Sequence, residues 1–395
     1  RMGQEIAKEC RAIGIHQNYA PVMDVNNNSL NPIINVRSFG EDPVLVSEMG
    51  LSMIRGLQEG NVIATAKHFP GHGDTDIDSH NDLPVLKFDM ERLDSVELLP
   101  FRNAVKDGVM SVMIAHLSFP IVDDEPFVPA SLSKKIIEGL LIDRLGFKGL
   151  VVTDALNMAG VVKHFSTEEV ALRCADAGVD LILMPQGERK TIDAIESAVN
   201  QGRISEEKIN SSVRRILNAK EWLKISERKF SNEAEVRNTV NSESANNLAK
   251  EIARRSVTLV KNEGALLPLK SKEGAKCLVI SLNNGNEKAN SDFFLSRLRD
   301  AGNFSEYSFY DISGDINNVE VLTEDAGNYD FVVIPVYAKV KIKTGTVGLP
   351  ASQLELINAL SSSGKTTVIS FGNPYLIQGF SNVPAYVCAY SDSEA

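Results

Sequence analysis

The sequence predicts an α/β protein with two domains, and three observations lead to this prediction. The chain has 395 residues, enough for about two domains of ~100–200 residues each. Its first half alternates short apolar runs with helical patterns, an order typical of a parallel sheet covered by helices on both faces. The same alternation resumes after a polar stretch near the middle of the chain, which indicates a second α/β unit.

Five apolar runs rich in Val, Ile, Leu or Ala predict the strands of the first domain. They are residues 18–25, 62–67, 109–116, 149–154 and 178–184. Helical patterns, with apolar residues three and four positions apart, precede and separate these runs. They are residues 3–13, 45–59, 91–106, 133–145, 168–177 and 192–200. This order fits a (β/α) barrel or a doubly wound sheet, both of which build their sites at the carboxyl ends of the strands.

The second half begins with a polar, helix-rich stretch at 204–225 and a connector at 226–247. Five further apolar runs then predict the strands of the second domain. They are residues 256–261, 276–282, 329–336, 366–371 and 385–390. We therefore expect a first domain over 1–225, a linker over 226–247 and a second domain over 248–395. The chain begins inside a helical pattern and stops within a strand-helix pattern, so we expect both domains to be incomplete here.

Composition excludes several classes of protein. The chain has 41 Lys and Arg against 52 Asp and Glu, a net charge of −11, so neither nucleic acid nor an anionic membrane is expected as its main partner. No apolar stretch approaches the ~18 residues of a membrane-spanning helix. The four cysteines are far apart and show no C-x-x-C spacing, so we expect buried thiols rather than a zinc site.

The densest cluster of chemically active side chains follows the second predicted strand. Residues 67–80 read KHFPGHGDTDIDSH and hold three of the six histidines. One interpretation makes Lys67 and His68 hydrogen-bond donors to a polar substrate and the Asp78/His80 pair a proton-transfer group, because a carboxylate can orient an imidazole and tune its proton affinity. Gly71, Gly73 and Pro70 are expected to let the backbone turn tightly and approach a ligand.

Three other interpretations of this segment remain open. Asp74, Asp76 and Asp78 suggest a calcium loop, although Ser79 stands where a Gly is wanted and Val85 where a bidentate Glu is wanted. A zinc or two-metal hydrolase would use His68, His72 and His80, but neither H-x-H nor HExxH spacing is present. The segment would otherwise be a solvated turn whose acidic residues cap a helix.

Three more candidates follow other predicted strands. Asp154 directly follows the apolar run LVVT, where it would serve either as a helix N-cap or as a nucleophilic carboxylate. Arg37 lies in a loop after the first run and would hold sugar hydroxyls or a carboxylate. His116 ends the third run, as a substrate ligand or a core histidine. Asp154 as nucleophile with His80 as acid/base would suit glycosyl transfer through a covalent intermediate.

At these residues the sequence resembles glycoside hydrolase family 3, in its β-N-acetylglucosaminidase branch. The similarity is carried by residues 67–80, by INVRSFGEDP at 34–43, by APVMDV at 20–25 and by GLVVTDALNM at 149–158, with support from SVTLVKNEGALLPL at 256–269. The resemblance implies a (β/α)₈ TIM-type barrel, here without its first strands, followed by an αβα sandwich. The family's early D-x-E-G-G segment is absent, so the sugar subsite would lack one ligand.

The resemblance also implies roles for individual residues. Asp154 would be the nucleophile, His80 the acid/base with Asp78 as its dyad partner, and Arg37, Lys67 and His68 sugar ligands. The reaction would be retaining removal of a terminal β-linked N-acetylglucosamine from muropeptide or chitin fragments, without metal or other cofactor, in a bacterial cytoplasm or periplasm. A β-glucosidase, an N-acetylglucosaminide phosphorylase, a metal-dependent barrel hydrolase and an inactive carbohydrate-binding chain are the alternatives. The oligomeric state is left open.

Overall fold

The computed structural model describes residues 1–75, 83–227, 230–270, 273–284, 288–301, 304–338 and 348–393. The chain divides into two compact units, Arg1–Ala245 and Asn246–Ala395. Both are built from parallel strands and covering helices, so the predicted α/β class is confirmed. In the described part of the chain, no helix combines the length and the apolar composition that a membrane crossing requires.

The first unit contains a four-stranded parallel sheet in the order β1-β2-β3-β4. Its strands are β1 (Gln17–Asn18), β2 (Ile63–Phe69), β3 (Ser111–Ile114) and β4 (Leu150–Thr153). Two isolated bridges extend it, from Val22 to Lys67 at one side and from Val152 to Leu181 at the other. The runs at 18–25 and 178–184 therefore join the sheet mostly through these bridges. The topology of the described residues is an open sheet, and it does not show a closed barrel.

Helices surround this sheet. They are α1 (Met2–Ile13), α2 (Pro43–Glu59), α3 (Met90–Arg92), α4 (Leu98–Lys106), α5 (Ala159–Val162), α6 (Thr167–Ala177), α7 (Glu188–Asn200), α8 (Glu206–Trp222) and α9 (Glu233–Thr239), with π-helical segments at Leu93–Glu97 and Lys135–Arg144. Side chains at Asp42, Ser166 and Ser205 accept hydrogen bonds from the N–H three residues on, which starts α2, α6 and α8. These three helices thus begin where the sequence supplies an N-cap.

The core of the first unit lies between the sheet and its helices. Every residue of β3 and β4 is buried, as expected for parallel strands covered on both faces. Ile54 and Leu57 of α2 and Phe101 of α4 belong to the same apolar cluster as Ala66 and Ile114 on the strands. The segment predicted as a linker, 226–247, contains α9, and the backbone N–H of Asn241 beyond it donates to Glu9 of α1 at 2.9 Å.

The second unit is a six-stranded sheet in the order β5-β10-β9-β8-β6-β7, with β5 antiparallel to β10. The strands are β5 (Thr258–Asn262), β6 (Lys276–Asn283), β7 (Glu306–Ser313), β8 (Phe331–Tyr337), β9 (Thr366–Ser370) and β10 (Ala385–Cys388). The helices are α10 (Glu243–Ser256), α11 (Lys288–Ala301), α12 (Val319–Ala326) and α13 (Ala351–Ser361). Five of the strands match the predicted runs, and β7 is a strand that the sequence pattern does not predict.

Alternation along β6 shows how this unit is layered. Leu278 and Ile280 pack in one apolar cluster with Leu356 of α13, whereas Val279 packs in another with Leu295 of α11. Successive side chains of a strand point to opposite faces, so helices cover both faces and the predicted αβα sandwich is confirmed. The four cysteines of the chain are free and buried, as predicted.

Candidate active site

The candidate site lies at the carboxyl ends of the strands in the first unit. Lys67 and His68 are in the last three residues of β2, His116 comes two residues after β3, and Asp154 directly follows β4. A backbone hydrogen bond joins the ends of β3 and β4: the N–H of Asp154 donates to the carbonyl oxygen of Ile114 at 2.9 Å. This edge is where parallel α/β sheets position functional side chains.

Asp24, a residue without a predicted role, is hydrogen-bonded to two histidines of this edge. Its carboxylate has no exposed surface. Oδ1 accepts hydrogen bonds from the backbone N–H of His68 at 3.1 Å and of His72 at 2.7 Å, while Oδ2 lies 2.7 Å from Nδ1 of His68. Burial raises the pKa of Asp24, but the neighbouring His68 and His72 outweigh it and hold that pKa below its usual range. Asp24 is therefore a buried, ionised acceptor.

Arg37 approaches the same histidine from the loop that follows β1. Its Nη2 lies 3.5 Å from Nε2 of His68, and its Nη1 donates to the carbonyl of Ile33 at 3.0 Å. Asn31 fixes this loop to the segment after β2, because its amide donates to the carbonyls of His72 and Gly73 at 2.8 and 2.9 Å. The structure thus brings Arg37 and His68 together at this edge.

Lys67 is half-buried next to these groups. Burial and the positive charge of Arg37 lower the pKa of Lys67, while the carboxylates of Asp154 and Asp24 oppose that change. Lys67 therefore interacts electrostatically with Arg37, Asp154 and Asp24. Two cationic side chains therefore share this edge with two carboxylates, in a chain whose net charge is −11.

Asp154 differs from Asp24 in that part of it remains open to solvent. Its Oδ1 accepts a hydrogen bond from the backbone N–H of Ala155 at 2.8 Å. Burial raises its pKa, but His68, His116 and the Ala155 N–H together hold the pKa of Asp154 below its usual range. Asp154 is therefore an ionised carboxylate on a residue that is only partly buried, and the ionised form is the one a nucleophile needs.

His116 is buried, and both of its ring nitrogens face protein groups. Nε2 lies 3.0 Å from the carbonyl oxygen of Ala155 and Nδ1 lies 2.7 Å from the hydroxyl of Ser131. A carbonyl oxygen only accepts, so Nε2 carries a proton and donates to Ala155. This geometry places His116 beneath the turn that carries Asp154, as a core histidine would be, with its hydrogen bonds directed to protein.

The glycine-rich segment after β2 packs against protein backbone. A Cβ on Gly73 would lie 1.7 Å from the carbonyl oxygen of Val25, and Gly71 has a φ of +140° beside Glu97. Both positions therefore require glycine for a close approach within the protein, in keeping with the tight backbone expected here, and the expected approach to a ligand stays a prediction. Arg92 holds the next residue in place, since its guanidinium lies 3.1 Å from Asp74 and 3.0 Å from Glu97.

Asp78 and His80, the predicted dyad, lie outside the described residues, as do Asp76 and the remainder of 76–82. Their predicted roles therefore stay predictions. Two residues just before this segment contact each other: His72 is buried, and its Nδ1 lies 3.0 Å from the hydroxyl of Thr75. Within the described ranges, no group of three or more His, Cys, Asp or Glu side chains has the arrangement to hold a metal ion.

The chain belongs to glycosyl hydrolase family 3, because the family's N-terminal domain matches residues 1–219. A β-hexosaminidase A of Pseudoalteromonas piscicida is 35% identical over 68% of this chain and 48% of its own length. The chain therefore spans about half of that curated relative. A β-N-acetylglucosaminidase structure of this family from Paenibacillus sp. str. FPU-7 has a TM-score of 0.81 and 33% identity, covering 99% of this chain and 76% of the other.

A second solved structure is named for another activity. The β-glucoside phosphorylase BglX has a TM-score of 0.88 with 27% identity, over 99% of this chain and 72% of its own. Chains similar to this one are thus named for different glycosides, and one of them is named as a phosphorylase. The family of this chain is established by these matches, and its substrate has to be argued from the site.

Proposed function

We propose that this chain carries the active site of a retaining, exo-acting β-N-acetylglucosaminidase, with Asp154 as the nucleophile. The observation that carries the proposal is the state of Asp154, which is ionised, only partly buried and in electrostatic interaction with Lys67 and His68 at the strand ends. The hexosaminidase name of the Pseudoalteromonas relative, which matches 68% of the chain, supports the sugar. Muropeptide or chitin fragments are the proposed natural substrates.

The chemistry follows from two groups on opposite sides of the anomeric carbon. In the first step an Asp154 oxygen forms a bond to that carbon while the bond to the leaving oxygen breaks, and His80 gives its proton to that oxygen. In the second step His80 takes a proton from water, whose oxygen attacks the anomeric carbon and releases Asp154. Asp78 would orient the His80 ring and stabilise its charge. Two displacements at one carbon retain its configuration.

The remaining residues of the site would hold the sugar in position for attack. Arg37 and Lys67 present N–H donors on the same edge as the nucleophile, and a sugar hydroxyl accepts from such donors. His116 would act as a positioning residue, because its hydrogen bond to the Ala155 carbonyl fixes the turn next to Asp154. Fixed geometry of this kind lowers the entropy that must be lost at the transition state.

Phosphorolysis is the second candidate, since the phosphorylase BglX shares this fold over 99% of the chain. The same covalent intermediate would then be released by phosphate, which a neutral histidine base repels less than a carboxylate would. A β-glucosidase is the third candidate, and a catalytically inactive carbohydrate-binding chain is the candidate from another class.

A side-by-side assay separates these candidates. Chromogenic β-N-acetylglucosaminide and β-glucoside are incubated with the protein in phosphate and in phosphate-free buffer, and the sugar products are identified. The proposal expects faster turnover of the N-acetylglucosaminide and free N-acetylglucosamine in both buffers. A sugar 1-phosphate product would favour the phosphorylase, faster glucoside turnover would favour the glucosidase, and binding without turnover of either substrate would favour the binding chain.

A further inference from the structure

Asp24 and His68 form a buried, hydrogen-bonded pair at the strand ends of the first sheet. Asp24 is the most enclosed carboxylate at the strand ends of the first sheet, with no exposed surface, and His68 is 4% exposed. Their side chains meet at 2.7 Å, between Oδ2 and Nδ1. The two residues are 44 positions apart in the chain, so the contact is made by the fold.

The carboxylate decides which ring nitrogen of His68 carries a proton. An ionised carboxylate only accepts hydrogen bonds, so Nδ1 of His68 has to donate to Oδ2. The other nitrogen, Nε2, lies 3.5 Å from Nη2 of Arg37, and a guanidinium only donates. A protonated Nε2 would place two donors against each other, whereas a bare Nε2 presents its lone pair to Arg37.

We propose that Asp24 is a positioning residue that holds His68 in the Nδ1–H tautomer, so that Nε2 acts as a hydrogen-bond acceptor beside the N–H donors of Arg37. A sugar hydroxyl that replaces the Arg37 contact matches this pair, because it donates to Nε2 and accepts from an Arg37 N–H. The pair does not match a carboxylate or phosphate oxygen, which cannot donate to Nε2. This last step rests on the proposed function, because it assumes that a sugar hydroxyl reaches the pair.

The variant Asp24→Asn is a specific test because it replaces only one of the two carboxylate oxygens, Oδ2, with an NH₂ group. An asparagine keeps an oxygen for the two backbone N–H groups of His68 and His72, which both point at Oδ1. Its NH₂ group then replaces Oδ2 and faces Nδ1 of His68. Because NH₂ only donates, Nδ1 has to give up its proton, and the tautomer reverses to Nε2–H.

The experiment is long-range ¹H–¹⁵N correlation NMR at pH 8 on the full chain with ¹⁵N-labelled histidine. The His68 signals are assigned by their loss in His68→Gln. The wild-type protein is expected to show Nδ1 protonated and Nε2 bare at His68, and Asp24→Asn to show the reverse. An Nε2–H tautomer or a doubly protonated ring in the wild type would overturn the proposal, and this outcome needs no variant that folds.

Activity gives the second readout. If His68 binds a substrate hydroxyl, Asp24→Asn lowers kcat/KM for the N-acetylglucosaminide about 10–100-fold, the usual cost of losing a residue that orients a ligand. The exposed Asp193, in helix α7, provides the matched Asp193→Asn control, which should keep wild-type kinetics. Asp24→Asn that keeps the Nδ1–H tautomer and wild-type kcat/KM would contradict the proposal. The expected tautomers in a chain without glycosidase turnover would instead refute only the proposed function.

Discussion

Asp24 and Asp154 lie at the same edge of one sheet, and their surroundings give them different chemistry. Asp24 is fully buried and accepts from His68 and His72, whereas Asp154 is partly open and accepts from Ala155. Both carboxyls have a pKa below the usual range, so both are ionised at neutral pH. Charge alone therefore does not identify a nucleophile. Burial does distinguish them, because a carboxylate with no exposed surface, such as that of Asp24, cannot attack a substrate.

This contrast predicts that changes near Asp154 alter turnover, while changes around Asp24 alter stability and histidine chemistry. Replacing a buried, hydrogen-bonded group leaves its partners without acceptors, at a cost of ~1–3 kcal/mol each. Replacing a partly exposed carboxylate that holds a reactive position costs little stability. The predictions below use this difference.

The largest effect is expected for Asp154→Ala. Without the nucleophile, turnover of a chromogenic N-acetylglucosaminide should fall by a factor of about 10⁴ or more, while the melting temperature stays close to that of the wild type. Added azide should restore part of the turnover and yield the α-glycosyl azide, because the small anion attacks from the vacated side. Asp193→Ala in α7 is the control and should keep full activity. Unchanged turnover by Asp154→Ala would exclude the assigned role.

Gly73→Ala tests the rigid side of the comparison. A Cβ at this position would lie 1.7 Å from the carbonyl oxygen of Val25, next to Asp24, so backbone has to move. We expect the free energy of unfolding to fall by about 3 kcal/mol or more, measured by urea denaturation. Gly139→Ala, in the helical segment Lys135–Arg144, has no atom within 4 Å of the new Cβ and should be neutral or slightly stabilising. Equal stabilities of the two variants would show that this close approach is absent.

His72 gives a smaller effect that depends on pH. Burial and the nearby His68 lower the pKa of His72 to about 4 in the folded chain, against ~6.5 when unfolded. Between these two pH values the unfolded chain binds one more proton, so stability falls as the pH decreases through this range, by up to about 3 kcal/mol. Below pH ~4 both states carry the proton and this contribution stays constant.

The measurement is the slope of unfolding free energy against pH between pH 4 and 6.5. His72→Gln should reduce the slope by about 1 kcal/mol per pH unit, the linkage of one proton. His164→Gln replaces an exposed histidine and should leave the slope unchanged. If His72→Gln left the slope as it is in the wild type, the buried, neutral state of His72 would be wrong.

The sequence predicts the strand ends better than it predicts the contacts between them. The position of Asp154 after LVVT follows from local pattern alone, and the structure places it directly after β4. Asp24 has a similar signal, a carboxylate in an apolar run, but the pattern at 18–25 predicts a continuous strand, whereas β1 covers only Gln17–Asn18. Its pairing with His68 depends on the register in which Val22 meets Lys67, and nothing local in the sequence specifies that register.

Two other differences have equally physical causes. Strand β7 is missed because it lies at the edge of its sheet, where polar residues such as Glu306 and Asp311 interrupt the apolar pattern. The sequence pattern after β2 indicates only that glycines allow a tight turn, whereas the structure shows that Gly73 is needed for the close approach to Val25. Close backbone approaches form only in the folded chain, so residue identity alone does not reveal them.

Covalent trapping is the most direct test of Asp154 as the nucleophile. The protein is incubated with a 5-fluoro-N-acetylglucosaminyl fluoride, whose intermediate hydrolyses slowly, and the labelled peptide is identified by mass spectrometry. We expect one sugar attached to Asp154 in the wild type and none in Asp154→Ala. A sugar on Asp24 or on another residue, or an α-configured N-acetylglucosamine as the first product of normal turnover, would contradict it.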